Sequence, residues 1–377
     1  MTRADGTQGK RLVYRPIGFL LMIGLDEIGF RHAILSCRRT VKMVHSKSPS
    51  RRNGLENPMR TAIEERCARG GKRPMKKASR ERILHLLFFL PKQQHIGVDR
   101  WLRGRKEFHK LTRSDCVVVS HGKSGRTWLR VMLSRFYQVK HDLAQPQLLD
   151  FDNLHRQSPQ IPKIFFTHDN CLTDYTKNGD TKADFYDKRV LLMIRNPADV
   201  AVSQFFQWKH RMSPRKIEIN KLPARGEDVP IFEFVMEVLP TVIEFMNIWA
   251  RAIPQMTNIL VVRYEDMRVQ PELAMTRILE FIGTPGSDDQ IRDAVAFASY
   301  ENMKKLEEGN LFGNKWLAPG DKGNPNSYKV RRAKVGGYRD YFNDQELTAI
   351  DELVRSGLSS HYMAMEKKAQ LLITSPV

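Results

Sequence analysis

Cysteine is scarce. There are four in 377 residues, Cys37, Cys67, Cys116 and Cys171, with no Cys-x-x-Cys pair among them. That spacing excludes a disulfide framework and a cysteine-built zinc site, and it fits a reducing compartment. Long apolar runs are missing too. The two longest, Ile17 to Leu25 and Ile83 to Leu90, reach about half of the ~20 residues that a membrane span needs. The first is followed at once by Asp26 and Glu27, with no small-residue cleavage site, so a secretory leader is not expected. Acidic residues are in deficit, 42 Asp plus Glu against 62 Lys plus Arg, for a formal net charge of +20. No group of His, Cys, Asp and Glu has metal-ligand spacing, and no metal is expected.

The acid deficit is uneven. Residues 1–100 hold 22 Lys plus Arg against 8 Asp plus Glu, and the remainder holds 40 against 34. A basic extension therefore precedes a nearly balanced domain, and such extensions contact membranes or nucleic acid more often than they fold. Residues 1–80 mix Arg, Lys, Gly, Ser and Pro, as in Ser46 to Arg52, without sustained periodicity, which predicts disorder. Residues 81–111 form a basic amphipathic segment. Ile83, Leu84, Leu86, Leu87, Phe88, Phe89 and Leu90, then Trp101 and Leu102, are bracketed by Lys92, Arg100, Arg103, Arg105 and Lys106. This pattern suits a peripheral membrane contact and equally suits a helix packed on the domain's own surface, because an apolar stripe does not distinguish lipid from protein. Residues 112–365 supply one folded domain, and 366–377 a tail; 41% hydrophobic residues are enough for a core.

Within that domain, short apolar runs alternate with helical periodicity. Strands are expected at Cys116 to Ser120, Lys163 to Thr167, Val190 to Ile194 and Ile259 to Arg263, with helices at Thr127 to Gln138, Pro197 to His210, Ile231 to Ile253 and Glu272 to Ile282. The alternation predicts an α/β fold: a P-loop-like parallel sheet of four to five strands with helices on both faces. Such sheets bind ligands beyond the carboxyl ends of their strands. The segments that follow each strand are therefore the candidate site.

After the first strand comes His121-Gly122-Lys123-Ser124-Gly125-Arg126-Thr127-Trp128. A strand, a glycine-bearing turn and a helix start aim free backbone N–H groups and a positive dipole end at one spot, which suits a phosphate. The nucleoside-triphosphate loop would require glycine five residues before Gly122, where Val117 stands. After the second strand comes His168. After the third come Arg195-Asn196-Pro197 and, about two turns into a helix, Ser203; an arginine at a strand end beside a helix start is a second anion site. Tyr264 to Met267 follow the fourth strand. Late in the chain, Tyr328 to Arg339 place several cations around the Gly336-Gly337 turn.

Taken in order, Lys-Ser-Gly-x-Thr-Trp, Thr-His, Arg-Asn-x-x-Asp-Val-Ala-Val-Ser, Tyr-Glu-Asp-Met and a late basic segment before Gly-x-aromatic resemble the sulfotransferases that use 3'-phosphoadenosine 5'-phosphosulfate (PAPS). The similarity is nearer to the cytosolic small-molecule branch than to the Golgi carbohydrate branch and covers about residues 112–360. It implies PAPS as co-substrate, with no metal. It implies that Lys123, Ser124, Gly125, Arg126 and Thr127 hold the 5'-phosphosulfate, and that Arg195, Ser203, Arg331 and Arg332 hold the 3'-phosphate. Trp128, Tyr264, Ser299 and Tyr300 would surround the adenine, and His168 would be the general base. The chain departs from the family pattern at Gly122, where proline is usual, at Arg126, often threonine, at Ala333, expected glycine, and at Tyr338, expected tryptophan. Arg126 is then either an additional phosphosulfate ligand or a side chain that points outward.

The chemistry makes sense of these residue types. In sulfuryl transfer, negative charge grows on the oxygen that stays with the nucleotide, so a lysine aimed at it stabilises the transition state more than the ground state. The acceptor hydroxyl must lose a proton, and a histidine with an ordinary pKa of ~6.5 can take it. Two other readings compete. A diverged P-loop nucleotide kinase or NTPase predicts magnesium dependence and a metal-binding acid, for which Asp266 is the weak candidate. A non-enzymatic basic protein, binding membrane or nucleic acid through residues 1–106, predicts steep salt dependence that survives loss of Lys123. Under the sulfotransferase reading the partners are a small-molecule, sugar or lipid-linked acceptor and no specific nucleic acid, in the cytoplasm or on the inner face of a membrane. His141 to Pro162 and Met212 to Pro230 are expected to shape the acceptor pocket. Phe151, Phe205, Phe206 and Trp208 either line that pocket or belong to the core.

Overall fold

Val117, Val118 and Val119 decide the centre of the molecule. β-Branched residues suit extended backbone, and three in a row leave no polar face for water. In the computed structural model, which describes residues 77–224, 228–313 and 317–362, they form the middle of β1 (Cys116–Ser120), with every residue buried. Each such side chain contributes roughly 1.5–3 kcal/mol when fully buried. The disorder expected over residues 1–80 falls almost wholly outside the described residues, as does the tail at 366–377.

Three further strands, β2 (Ile164–Thr167), β3 (Arg189–Ile194) and β4 (Asn258–Arg263), join β1 in the order β2-β1-β3-β4. All pairings are parallel, with Val118 opposite Phe166 on one side and Leu191 on the other. Among the described residues the sheet thus has four strands, the lower end of the expected range.

Side chains alternate across the sheet into two cores. Val117, Val119, Phe165, Val190 and Leu192 enter one with α5 (Pro197–Arg211), α7 (Ile231–Ala252) and α12 (Asp344–Gly357). Cys116, Val118, Ile164, Leu191 and Met193 enter the other with α3 (Arg126–Lys140), α9 (Pro271–Ile282), α10 (Asp288–Phe297) and α11 (Tyr300–Glu308). Short helices α4 (Leu172–Thr176), α6 (Pro214–Ile219) and α8 (Tyr264–Val269) complete the connections.

The chain leaves β1 for β2 on one side and then crosses to β3 on the other. The β1–β3 boundary is therefore the topological switch point, where open parallel sheets leave a crevice. The loops carrying Lys123 and Arg195 meet there.

The basic segment 81–111 is two elements with different fates. α1 (Lys77–Leu86) and α2 (Lys92–Thr112) are separated by a break ending at Pro91. α2 packs on the domain: Gly104 lies against the Cys171 carbonyl so closely that a Cβ there would come within 2.1 Å of it. Arg100 pairs with Asp174 at 2.8 Å, and buried Asp99 draws in Arg80, Arg103 and Arg215. Surface packing therefore accounts for α2. Leu86, Phe88 and Phe89, at the end of α1 and just beyond it, remain exposed.

Candidate active site

The β1 loop is built by two left-handed residues. Lys123 has φ 74° and Gly125 φ 91°. Gly125 is required twice over, since its φ disfavours a side chain and a Cβ there would stand 2.5 Å from Tyr264. The first partnered amide of α3 is that of Trp128, which donates to the Gly125 carbonyl at 2.9 Å; the amides of Ser124 to Thr127 donate to no backbone carbonyl among the described residues. These N–H groups and the helix dipole make an anion cradle.

Cations are fixed around this cradle. Lys123 Nζ donates to Gln207 Oε1 at 3.4 Å. Burial, and then Arg211 and Arg195, push its pKa down to about 7. Arg195 donates to the Lys123 carbonyl and the Lys334 carbonyl, each at 3.3 Å. It pairs with Asp199 at 3.5 Å and stacks 4.3 Å over the Tyr264 ring. Arg211 is clamped at 2.9 Å by Glu307, which is fully buried and also accepts from the Lys329 and Val330 amides. Arg195 Nε and Arg211 Nε are buried and have no hydrogen-bond partner, a state that costs free energy unless an anion completes it.

α5 organises this half through one face. Asn196 caps the helix, accepting from the Ala198 and Asp199 amides. Asp199, Ser203 and Gln207 then recur at four-residue spacing. Asp199 also accepts from the Gly336 and Tyr338 amides, at 2.9 and 3.0 Å, which fastens the late glycine turn beside Arg195.

The residues that the resemblance assigns to the adenine lie near one another. Trp128 donates to the Ala298 carbonyl at 2.8 Å and meets Tyr264 edge to face at 5.9 Å. Ser299 caps α11, and Tyr300 donates to the Arg331 carbonyl at 2.9 Å. The two late arginines part company. Arg331 lies 3.7 Å over Phe206 and donates to Tyr341, whereas Arg332 is engaged by Asp340 at 2.5 Å with its side chain 41% exposed. The late segment also contains a strained residue, since Ala333 sits at φ 50°, where the expected glycine would be at ease.

His168 follows β2 and faces the same crevice. Its Nδ1 lies 2.8 Å from the Ser120 carbonyl, an acceptor, so Nδ1 carries the proton and Nε2 offers the lone pair. Arg126 Nη2 donates to that lone pair at 2.6 Å. Burial, and then Arg126, hold the imidazole pKa well below its usual value near 6.5. Arg126 is thus not turned outward: the α3 start aims it back at His168. Asp169 does not serve the histidine, because it pairs with Lys182 at 2.8 Å.

Of the aromatics, Phe151, Phe205 and Trp208 are buried in the first core, and Phe206 is the half-buried platform under Arg331. The core reading holds for three of the four. Gln207, Arg211, Glu307 and Glu107 lie outside the sequence motifs, and Asp199 and Glu265 stand inside two of them without an assigned role. Asp199 and Gln207 had a detectable signal, the helical spacing from Arg195 and Ser203. Glu265 accepts from the Asn196 amide at 2.8 Å; that contact, like the one of Glu307, had no signal, because the partners are 69 and 96 residues away.

Residues 113–368 match the family model described as Sulfotransferase domain, about two thirds of the chain. The chain belongs to the sulfotransferase family. Among individual proteins it is similar to flavonol 4'-sulfotransferase of Flaveria chlorifolia, 26% identical over 279 residues that cover 67% of this chain and 81% of that one. It is also similar to cytosolic sulfotransferase 13 of Arabidopsis thaliana, 26% identical over 302 residues, covering 72% and 84%. A solved structure of mouse sulfotransferase SULT7A1 complexed with PAP aligns with a TM-score of 0.47 at 20% identity, covering 68% of this chain and 89% of that chain.

Proposed function

We propose that this enzyme moves a sulfuryl group from PAPS to the hydroxyl, or amine, of a small-molecule, sugar or lipid-linked acceptor, with Lys123 and His168 as its catalytic residues. The observation that carries this reading is the meeting of Lys123, Arg195 and His168 beyond the carboxyl ends of β1, β3 and β2. The orphaned amides of Ser124 to Thr127 fit the 5'-phosphosulfate, and the incomplete Nε groups of Arg195 and Arg211, with Ser203 on the same helix face as Asp199, fit the 3'-phosphate. Trp128 and Tyr264 suit one side of the adenine, with Ser299 and Tyr300 near it. Arg331 stands close by for the 3'-phosphate, and Arg332 would have to leave Asp340 to join it.

The residue roles follow from charge. PAPS supplies a sulfuryl group on an activated phosphosulfate. As the acceptor oxygen forms its bond to sulfur, the bridging S–O bond breaks and its electron pair stays with 3'-phosphoadenosine 5'-phosphate (PAP). Protonated Lys123 faces that growing charge. His168, neutral at physiological pH, takes the acceptor proton at Nε2. Cytosolic relatives support a cytoplasmic setting. Exposed Leu86, Phe88 and Phe89, with exposed Arg82 and Lys92 nearby, suit peripheral contact with an anionic membrane face.

Isothermal titration tests the nucleotide. PAP should bind without metal, and ATP with magnesium should bind more weakly or not at all. Binding of ATP–magnesium but not PAP would replace this reading with the kinase one.

A further inference from the structure

Arg126 is the cation that the nucleotide site leaves over. Its Nη2 is spent on His168, and its Nη1 is buried with no hydrogen-bond partner. Among the described residues no carboxylate lies within ion-pair distance of it. One turn along α3, Arg130 lies on the same helix face and stacks 4.2 Å over Phe166 of β2. Glu107 of α2 is an acid whose charge acts on Arg126; burial pushes its own pKa up to about 7, and its carboxylate accepts from Thr167 at 3.1 Å. Two arginines therefore stand on the β2 side of the crevice, beside the general base and apart from the Lys123–Arg195–Arg211 cluster.

A buried guanidinium with an idle N–H is costly unless an oxyanion completes it. An arginine that occupies the base's lone pair also blocks the step the base must perform. One event removes both problems. We propose that Arg126 receives an anionic group on the acceptor, so that the preferred acceptor carries a carboxylate, sulfonate, sulfate or phosphate near the hydroxyl that is sulfated, and that docking of this anion draws the guanidinium off His168 Nε2. The freed lone pair then takes the hydroxyl proton while the acceptor oxygen bonds to sulfur and PAP leaves with the S–O electron pair. Neutral acceptors leave Arg126 on the histidine and react slowly. The proposal rests on the sulfotransferase reading above and adds the acceptor class to it.

The test uses full-length protein saturated with PAP and titrated calorimetrically with phenol, 4-hydroxybenzoate and 4-hydroxybenzenesulfonate. The two anions should bind at least about tenfold more tightly than phenol, the loss typical of removing a charge-assisted hydrogen bond. Arg126→Gln should abolish that preference, leave PAP affinity within about threefold, and raise the turnover of phenol with PAPS, since His168 Nε2 is no longer occupied; Arg126→Lys should restore part of the preference. In the Arg126→Gln variant the His168 imidazole should titrate at higher pH by NMR, as its cationic neighbour is gone. Equal binding of the three probes, or no binding of either anion, overturns the proposal. So does a large loss of PAP affinity in Arg126→Gln, which would put the arginine on the donor. Failure of wild type to bind PAP is a separate result and would remove the sulfotransferase reading itself.

Discussion

The two halves of the crevice hold their cations in opposite ways. On the side proposed for the nucleotide Lys123, Arg195 and Arg211 are each tied to a fixed partner, Gln207, Asp199 and Glu307, and the two carboxylates are anchored to backbone amides. On the side proposed for the acceptor Arg126 has a histidine where a carboxylate would be expected. Under the proposed function the first arrangement is preorganised: donors already stand where charge would develop, so little reorganisation is left for the reaction. The second is poised, because under that proposal its one strong contact must break before His168 can take a proton.

The sharpest way to break this contrast is at the reacting groups. His168→Ala should lower kcat by roughly 10²- to 10⁴-fold, with PAP affinity unchanged in calorimetry; turnover like wild type would remove His168 as base. Lys123→Ala should cost ~10²- to 10³-fold in kcat. The same variant should melt higher than wild type at neutral pH, by about 2–4 °C, the shift that ~1 kcal/mol makes in a domain of this size. The sign follows from linkage. Folding depresses the Lys123 pKa to about 7, so between about pH 7 and 10.5 the unfolded chain binds more protons at this site and stability rises with pH. The penalty is largest below pH 7 and disappears above the unfolded pKa, so the gain in the variant should vanish there.

Glu307→Gln attacks the scaffold rather than the chemistry. It removes the counter-charge of a buried arginine and should destabilise the fold by about 3–5 kcal/mol, read in denaturant unfolding, and it should weaken PAP binding through Arg211. Smaller still is the pH effect on the nucleotide. An anion favours protonated Lys123, so PAP affinity should fall as pH rises through about 7; a flat profile from pH 6 to 9 would contradict the depressed lysine. The smallest change is Ala333→Gly. Relief of a left-handed φ is partly offset by unfolded-chain entropy, so stability should rise by at most about 1 kcal/mol, with PAP affinity unaffected or slightly better.

Much of this was legible in sequence because it is local. The strand and helix limits lie within about two residues of expectation in most elements: Pro197 opens α5, and the Val117 to Val119 run forms β1. The motif residues Lys123, His168 and Arg195 each follow the carboxyl end of a strand, and parallel strands bring their carboxyl ends to one edge whatever the details of packing. The basic amphipathic segment was legible only in half. Its stripe was real, but nothing in it says that Gly104 is small so that Cys171 can approach, or that Asp99 is buried among three arginines.

The sequence by itself therefore determined the sheet, the anion loop and the types of residue at the site, because propensity, periodicity and strand-end position act over a few residues. Only the tertiary structure decided which groups face each other. Arg126 meets His168 across 42 residues, Arg211 meets Glu307 across 96, and Asp199 holds the Gly336 turn across 137. Distances of that kind depend on how the layers pack on the sheet. The direction in which Arg126 points, which the motif left open, is set by the packing of α3 against β2.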